Sequence, residues 1–440
     1  MKRMVYIWFR AFSGFRHRVT RRFTPVGRFV LAGIAASAIF GLDTTKTTAY
    51  QAFTCLVALI AVALVWNMFF RVNLTALRIL PRFGSAGQML SYRIKVIHSG
   101  DKQLNGLFLL ENLPDPRPSF ADYVKAGFGL KKEYRRWEQL IAMNQVAVAD
   151  KQSIPVLMPK SEVEIKAGFV PLRRGRIEFE SLSVGRADLF GLINAYATVP
   201  LKQHVLILPK RYVLPDIKLP GNRAYQLGGV ALSTSVADSE EFQSLREYRP
   251  GDPPRKIHWK SWAKTGKPII KEYQDEFFVR HALILDTFME GELSEVFEEA
   301  ISVAASFACT VQTQESLLDL MFVGTEAFCE TIGRGQGQIE HFLEILACVR
   351  PRYDKAFSVL NHHVVSRRPV ISGCVCVLLA WDKDRSDFVH NLHVLGLQPL
   401  VIVITNPEFS NVPALESVEE KPGWLYLLTT GKIEEGLAKI

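Results

Sequence analysis

A chain of 440 residues, 48% apolar and 22% charged, has room for about three structural units at the usual ~150 residues each. Its 29 Gly and 22 Pro, with no single-residue run and no internal repeat, exclude fibrous, low-complexity and solenoid architectures. The net charge of +9 is concentrated in residues 1–30, which hold eight Lys or Arg and no acid, while the rest carries 45 basic and 44 acidic side chains. A nucleic-acid groove needs basic charge on a folded surface, so no nucleic-acid partner is expected.

The basic stretch precedes two apolar runs, Phe29–Leu42 and Ala52–Phe70. A bilayer core of ~30 Å takes ~20 residues of helix, which the second run supplies. The first is short and must draw in Thr24–Gly27, with Arg28 snorkelling to the headgroups. Asp43–Gln51 is a polar connector. Basic flanks on both sides, Lys2–Arg28 and then Arg71, Arg78 and Arg82, read as cytoplasmic. The expectation is a transmembrane helical hairpin over 29–72 behind a basic cytoplasmic N-terminus, 1–28. That places the protein in the bacterial inner membrane, crossing it twice, with the soluble domains facing the cytoplasm. A basic stretch, an apolar run and Ala36-Ser37-Ala38 also resemble a secretory signal peptide, but the second run argues for a retained hairpin. Six cysteines, none in a C-x-x-C pair, give no zinc or thioredoxin-like signature. Cys374 and Cys376, on one face of an apolar strand, read as buried thiols in a reducing compartment.

From about Asn73 to 212 the signals are short alternating runs bounded by Gly, Pro and Asn. Ser91–Ile97 alternates, His98–Lys102 is a turn, and Gly106–Leu113 is its expected partner strand. Val163–Val170 and Ile177–Val184 flank the basic turn Arg173–Arg176, and the whole predicts an all-β, sandwich-like domain. Lys131–Glu138 is charged enough for a solvated helix or an ordered loop.

From 279 to 440 the rhythm becomes strand, helix, strand, helix. Ala282–Leu285, Leu317–Val323, Cys374–Trp381, Pro399–Thr405 and Trp424–Thr429 are the strands. The helix after Ser294 buries Phe297, Ala300, Ile301, Ala304, Phe307 and Val311; Ile339–Val349, Tyr353–Ser366, Asp387–Leu395 and Ile433–Ile440 follow. Continuous apolar strands between helices predict a parallel, doubly covered α/β sheet of Rossmann-like type. Gly333–Gly337 has the wrong spacing for a dinucleotide fingerprint.

The segment 213–278 joins these domains and carries the densest signature: Leu245, Arg246, Glu247, Tyr248, then Pro250, Gly251, Asp252, then Arg255, Ile257, His258 and Trp259. Pro250-Gly251 predicts a tight turn, Asp252 a helix cap ahead of Pro253, and Ile257 and Trp259 two apolar anchors. Arg246, Glu247, Arg249, Asp252 and Arg255 are expected to bond among themselves as an inter-domain clasp rather than as catalytic groups. A strand follows at Pro268–Tyr273.

This signature closely resembles that of the bacterial and archaeal family called domain of unknown function 58. The resemblance extends to Arg173–Arg176, to Asp188-Leu189-Phe190-Gly191-Leu192 and to the N-terminal spans; one departure is Trp262, where the family carries a small residue. It implies a membrane-anchored β-domain followed by a von Willebrand factor A-like domain, with a MoxR-type AAA+ ATPase as partner. Such A-type domains hold a divalent cation through Asp-x-Ser-x-Ser, a Thr and an Asp at the sheet's carboxyl edge. Here the first element reads Asp286-Thr287-Phe288-Met289-Glu290, with both serines missing, and Asp382 stands where the third ligand arises. Asp286, Glu290 and Asp382 are thus a degraded site for a hard cation such as Mg²⁺, and no cofactor is expected. The sequence contains no His-Glu-x-x-His, Walker lysine loop or Gly-x-Ser-x-Gly elbow, and no catalytic residues are assigned. The expected function is that of a non-enzymatic scaffold or adaptor, working with a MoxR-type ATPase on an unidentified client. Its setting would be assembly or maturation of envelope or metalloenzyme complexes. The alternative is a metal-dependent hydrolase using Asp286, Glu290 and Asp382.

Overall fold

The computed structural model describes residues 2–40, 47–125, 133–215, 217, 241–274, 280–289, 294–311, 317–332, 336–368, 371–406 and 423–440. Two compact units divide the chain: Met1–Lys210 with Leu346–Cys348, and Arg211–Ile345 with Val349–Ile440. The signature segment, expected to link two domains, thus belongs to the second unit.

The first unit opens with three helices. The basic stretch expected as a tail is a helix, α1 (Lys2–Arg22), followed by α2 (Pro25–Phe40) and α3 (Thr47–Met68). Thr24 marks the break before α2, its hydroxyl accepting from Gly27 N at 3.1 Å. Over Thr48–Met68 α3 is long and apolar enough to cross a membrane, whereas the apolar α2 is shorter. Residues 43–46 of the connector expected at Asp43–Gln51 lie outside the described residues, and the rest of it is helical, since α3 begins at Thr47.

The rest of this unit is two sheets around one core, as the alternation predicts. β1 (Leu74–Ile79), β3 (Leu90–His98), β7 (Glu162–Pro171) and β5 (Ala147–Ala149) form one, in the order β1-β3-β7-β5. β2 (Phe83–Ser85), β9 (Asn194–Leu208), β8 (Gly175–Ala187), β4 (Leu107–Asn112) and β6 (Gln152–Ser153) form the other, in the order β2-β9-β8-β4-β6. The strand over Leu107–Asn112 is present but does not pair with its neighbour in sequence. It joins β8 and β6, while β3 pairs with β1 and β7. Alternation fixes which face of a strand is buried, not which sheet it enters. Ile94, Val96, Ile165 and Phe169 meet Leu109, Ile177, Phe179 and Ile207 across the core. The charged run resolves as α5 (Glu133–Asn144), which with α4 (Phe120–Lys125) packs Tyr123 and Trp137 against Tyr6 and Phe9 of α1.

Arg78, expected as a cytoplasmic flank of the membrane hairpin, is instead inside the sandwich. Its side chain is 0% exposed and forks onto Glu111 at 3.0 and 2.5 Å, with Leu201 O and Gln203 Oε1 at 3.1 and 3.3 Å. The guanidinium lies 4.4 Å from the centre of the Phe179 ring, and Tyr92 donates to Glu111 at 2.7 Å. Burial and the adjacent carboxylate push the Tyr92 phenol far above its ordinary range, so it stays a donor. The correction has a simple cause: a charge at a core-facing strand position is tolerated when a partner carboxylate arrives from another strand, and spacing cannot show that.

The second unit begins with a ribbon of β10 (Glu241–Glu247) and β11 (Ile269–Gln274), bracketing a 3₁₀ turn (Pro254–Lys256) and α6 (Trp259–Thr265). Its main sheet has six strands: β12 (Arg280–Leu285), β13 (Leu317–Val323), β14 (Ala327–Ile332), β15 (Gly373–Leu378), β16 (Pro399–Thr405) and β17 (Leu425–Thr429). Their order is β14-β13-β12-β15-β16-β17, parallel except for the edge strand β14. The sequence expectation missed β14, because a solvated edge strand needs no apolar run. Every residue of β13, β15 and β16 is buried, the condition for the uninterrupted apolar strands. Helices α7 (Glu295–Val311), α8 (Gln336–Cys348), α9 (Ser358–Ser366), α10 (Lys383–Val394) and α11 (Ile433–Leu437) intervene or close the chain. A buried charge interrupts β13: Asp319, fully buried, accepts from Arg280 Nε at 2.8 Å.

Replacing Glu111 by Ala should strand the Arg78 guanidinium in the sandwich and cost about 3–5 kcal/mol of stability. Removal of Glu164, whose pair with Arg93 is solvent-exposed, should cost under about 1 kcal/mol. Denaturant unfolding of both variants checks the contrast; equal losses would contradict a structural role for the buried pair.

Candidate functional site

In the main sheet the chain proceeds from β12 to one side and returns at β15 to the other. The carboxyl ends of these two adjacent strands therefore form the switch point at which α/β folds place their chemistry. Asp286 follows β12, and Asp382 follows β15 as the cap of α10.

The structure brings these two carboxylates to a common partner that sequence reasoning missed. Arg385, one turn into α10, donates from Nε to Asp286 at 2.6 Å, from Nη1 to Asp382, and from Nη2 to Phe288 O at 3.0 Å. Asp286 is fully buried and also accepts from the N–H groups of Phe288 and Leu379 at 2.9 and 3.1 Å. Asp382 accepts from Arg385 N at 3.0 Å. Burial raises the Asp286 carboxyl above its ordinary range, with Arg385 and the two N–H donors opposing. Burial works against the Arg385 charge too, but Asp286 and Asp382 outweigh it and hold the guanidinium protonated. Arg385 also faces the Phe357 ring at 5.0 Å, against which Phe288 packs edge-on.

A divalent cation does not fit this arrangement as described. The oxygens expected as ligands are taken by a guanidinium, and a further cation beside it would meet direct repulsion. Glu290 lies outside the described residues. Among the described residues, no three or more His, Cys, Asp or Glu side chains form a metal-holding group. The detectable signal was Asp382-x-x-Arg385 at a helix start, an i, i+3 ion pair with one member turned inward. Cys374 and Cys376 are both buried in β15, as expected. The Cys376 thiol is raised well above its ordinary value by its hydrogen bond to Cys374 and by burial, which favours the protonated form.

The signature forms a second locus. Arg246 in β10 forks onto Asp252 at 2.7 and 2.8 Å, and Asp252 accepts Arg249 N at 2.9 Å. The loop between them turns at Pro250-Gly251, where Gly251 has φ +108°, a conformation that suits glycine. Tyr248 N donates to Pro268 O at 3.0 Å, and His258 N to Ile269 O at 2.8 Å. Ile257 bridges to Ile270, and Glu247 meets Lys267 at 3.1 Å on the surface.

Several expectations change here. Asp252 does not cap the 3₁₀ turn, whose cap residue is Pro253 and makes no side-chain cap bond. Its carboxylate is held by Arg246 and the Arg249 amide instead. Arg255 and Leu245 are exposed. Trp259, expected as an anchor, is 64% exposed and stacks on Trp262 with ring centres 5.2 Å apart. The departure at Trp262 supplies that partner. These bonds lie within the ribbon and fasten the signature to itself.

The comparisons agree with the position of this signature. The family described as "Protein of unknown function DUF58" matches residues 244–420, which take in most of the ribbon and the α/β domain to beyond β16. Over 176 residues the chain is 28% identical to "Uncharacterized protein YeaD" of Bacillus subtilis (strain 168), covering 40% of this chain and 42% of that protein. The chain thus spans less than half of that relative's length. Among solved structures, the CARDB domain of a Pyrococcus furiosus protein is 12% identical, with 31% of this chain and 94% of that one covered and a TM-score of 0.17. A native alpha-2-macroglobulin fragment of Escherichia coli is 10% identical, with 73% and 41% covered and a TM-score of 0.20. Likenesses at these scores carry nothing about fold or function.

Two outcomes are expected. Arg385→Ala should leave Asp286 buried without its counter-charge and lower stability by about 3–5 kcal/mol. Unfolding followed by circular dichroism reads it, and full recovery on adding Mg²⁺ would mean that the pocket is a cation site after all. Arg246 and the Arg249 amide hold the Asp252 carboxyl down to about 2, below its ordinary 3.8. A depressed folded value means that its contribution is complete above the unfolded value and is lost as pH falls from about 4 to about 2. Pepsin cleavage within 246–260 should therefore rise steeply over that window, and Asp252→Asn should be cleaved readily at its upper end. A flat cleavage profile in the native chain would refute the fastening.

Proposed function

We propose that the chain is a membrane-anchored, non-enzymatic adaptor. In this reading α2 and α3 form a two-pass hairpin in a bacterial inner membrane, and the β-sandwich and α/β domain face the cytoplasm. The signature ribbon then meets a protein partner, a MoxR-type AAA+ ATPase acting on a client complex of the envelope or a metalloenzyme. The α/β domain is taken as von Willebrand factor A-like, which its strand order and antiparallel edge strand favour.

One observation carries the reading: the ribbon is pinned by its own ion pair and backbone bonds, yet holds a stacked tryptophan pair at the surface. Trp259 gains nothing in the free protein from exposure, whereas rigid aromatic side chains on a fixed support are the commonest anchors of protein contacts. Lys256, Lys260 and Lys264 beside it suit an acidic partner surface. The closure of Asp286 and Asp382 by Arg385 supports the same view, because it engages both described carboxylates that the hydrolase alternative would use.

Two measurements test it. Activity reporters inserted at Thr45 and after Ile440 should report opposite sides of the membrane. With the intact protein in detergent, Trp259→Ala/Trp262→Ala should weaken capture of a purified MoxR-type ATPase from the same cell by tenfold or more, about 1.4 kcal/mol. Chelator should leave capture unchanged. Binding that ignores the tryptophans but collapses in chelator would favour a metal-dependent site.

A further inference from the structure

Helix α1 is buried on one side only. Tyr6 and Phe9 pack on Tyr123 and Trp137, and Tyr6 donates to Pro118 O at 3.1 Å. Met4, Trp8, Phe12 and Phe15 recur at spacings of four, four and three, which sets them on one face. All four are exposed, by 76, 60, 45 and 64%. Arg3, Arg10, Arg16, Arg18 and Arg22 occupy the same helix, and it holds no acid.

A second apolar projection adjoins the end of this helix. In the β8–β9 turn, Asp188 accepts the N–H groups of Leu192 and Ile193 at 2.6 and 2.8 Å, while Gly191 has φ +64°. This tight turn holds Leu189 and Phe190 outward, 65 and 49% exposed. Its other limb is buried: Leu192 and Ile193 pack with Leu59, Ile60 and Ala63 of α3 and with Phe23 and Val30. Thr24, directly after α1, donates its hydroxyl to Gly191 O at 2.5 Å, and Phe23 bridges to Ile193. A Cβ at Gly27 would collide with Leu192 O, so α2 approaches this turn at backbone distance.

These positions fix a depth. Leu59 lies nine residues before the end of α3 at Met68, or ~13 Å along the helix axis, close to the ~15 Å half-thickness of a bilayer core. If α3 spans, a turn packed on Leu59–Ala63 lies below the headgroups. Its exposed Leu189 and Phe190 then have hydrocarbon, not water, beside them. The helix joined to it through Phe23 and Thr24 starts from the same leaflet.

We propose that α1 is an interfacial helix, embedded in the anionic leaflet through Met4, Trp8, Phe12 and Phe15, and that the Leu189-Phe190 turn is a second insertion of the same unit. The inference rests on α3 being a membrane span and goes beyond it: the sandwich is seated on the bilayer rather than tethered above it. Arginines beside an apolar stripe match anionic headgroups, which is the composition of helices that lie in the membrane plane. Continuity with α3 and the absence of any acid in α1 favour lipid over a protein partner on this face.

The intact chain carrying Cys55→Ser and Cys348→Ser would be labelled with bimane at Trp8→Cys, Phe15→Cys or Phe190→Cys. It is then reconstituted in phosphatidylcholine–phosphatidylglycerol vesicles. Val57→Cys in α3 and His204→Cys on β9 serve as lipid and water references. Doxyl-lipid quenching at positions 8, 15 and 190 is expected to exceed that at 204 several-fold, and iodide quenching to fall several-fold below it. Quenching of the Val57 label by lipid while positions 8 and 15 follow 204 would overturn the inference and leave the anchor standing. No lipid quenching even at Val57 would sink both. Protection of positions 8 and 15 from lipid and iodide alike would assign the face to a protein contact and also overturn it.

Discussion

A carboxylate with no solvent at all, Asp286 at the end of the central strand, sets the terms for the second unit. Isolated in the interior, such a charge would cost many kcal/mol, so the fold must bring an equal and opposite charge to it. It does so with Arg385, delivered by the first turn of α10, whose start is fixed by the cap at Asp382. The same guanidinium accepts a place against Phe357 and binds the carbonyl of Phe288. Strand β12, the loop after it, strand β15 and helix α10 are thereby locked to one ion. The region where α/β proteins usually open a ligand site is here a closed electrostatic joint.

The first unit solves a similar problem in a different geometry. Arg78 and Glu111 come from opposite sheets of the sandwich, and Tyr92 and Gln203 occupy the bonds left over. Such a network adds little net stability compared with a well-packed apolar core. It does penalise any other pairing of the sheets, because every alternative leaves a charge unpaired. That penalty is relevant to a domain whose successive strands alternate between sheets.

Two further features are fastened locally by their own carboxylates. The ribbon over 241–274 fastens itself through Arg246 and Asp252 and so can expose Trp259 on a fixed backbone. The turn over 188–193 uses one carboxylate to do the same for Leu189 and Phe190. In both places internal hydrogen bonds are satisfied, and the apolar side chains are what remains for contact. Surfaces of this kind are what the proposed adaptor role would require.

Much was legible from sequence because it follows from period and length. The long apolar run of α3, the alternation that marks a β-domain and the buried parallel strands of the α/β domain each reflect one local rule. The signature around Arg246 and Asp252 was legible as a set of mutually bonding charges. Tertiary structure decided which charges meet. Arg78 looks like a membrane flank until Glu111 arrives from another sheet, and Asp286 and Asp382 look like metal ligands until Arg385 lies between them. It also decided that Leu107–Asn112 joins β8 rather than β3, and that Trp259 faces outward. Local sequence determines what a segment buries, since burial depends on its own periodicity. The partner of a buried charge comes from a distant segment, and only the folded chain brings the two together.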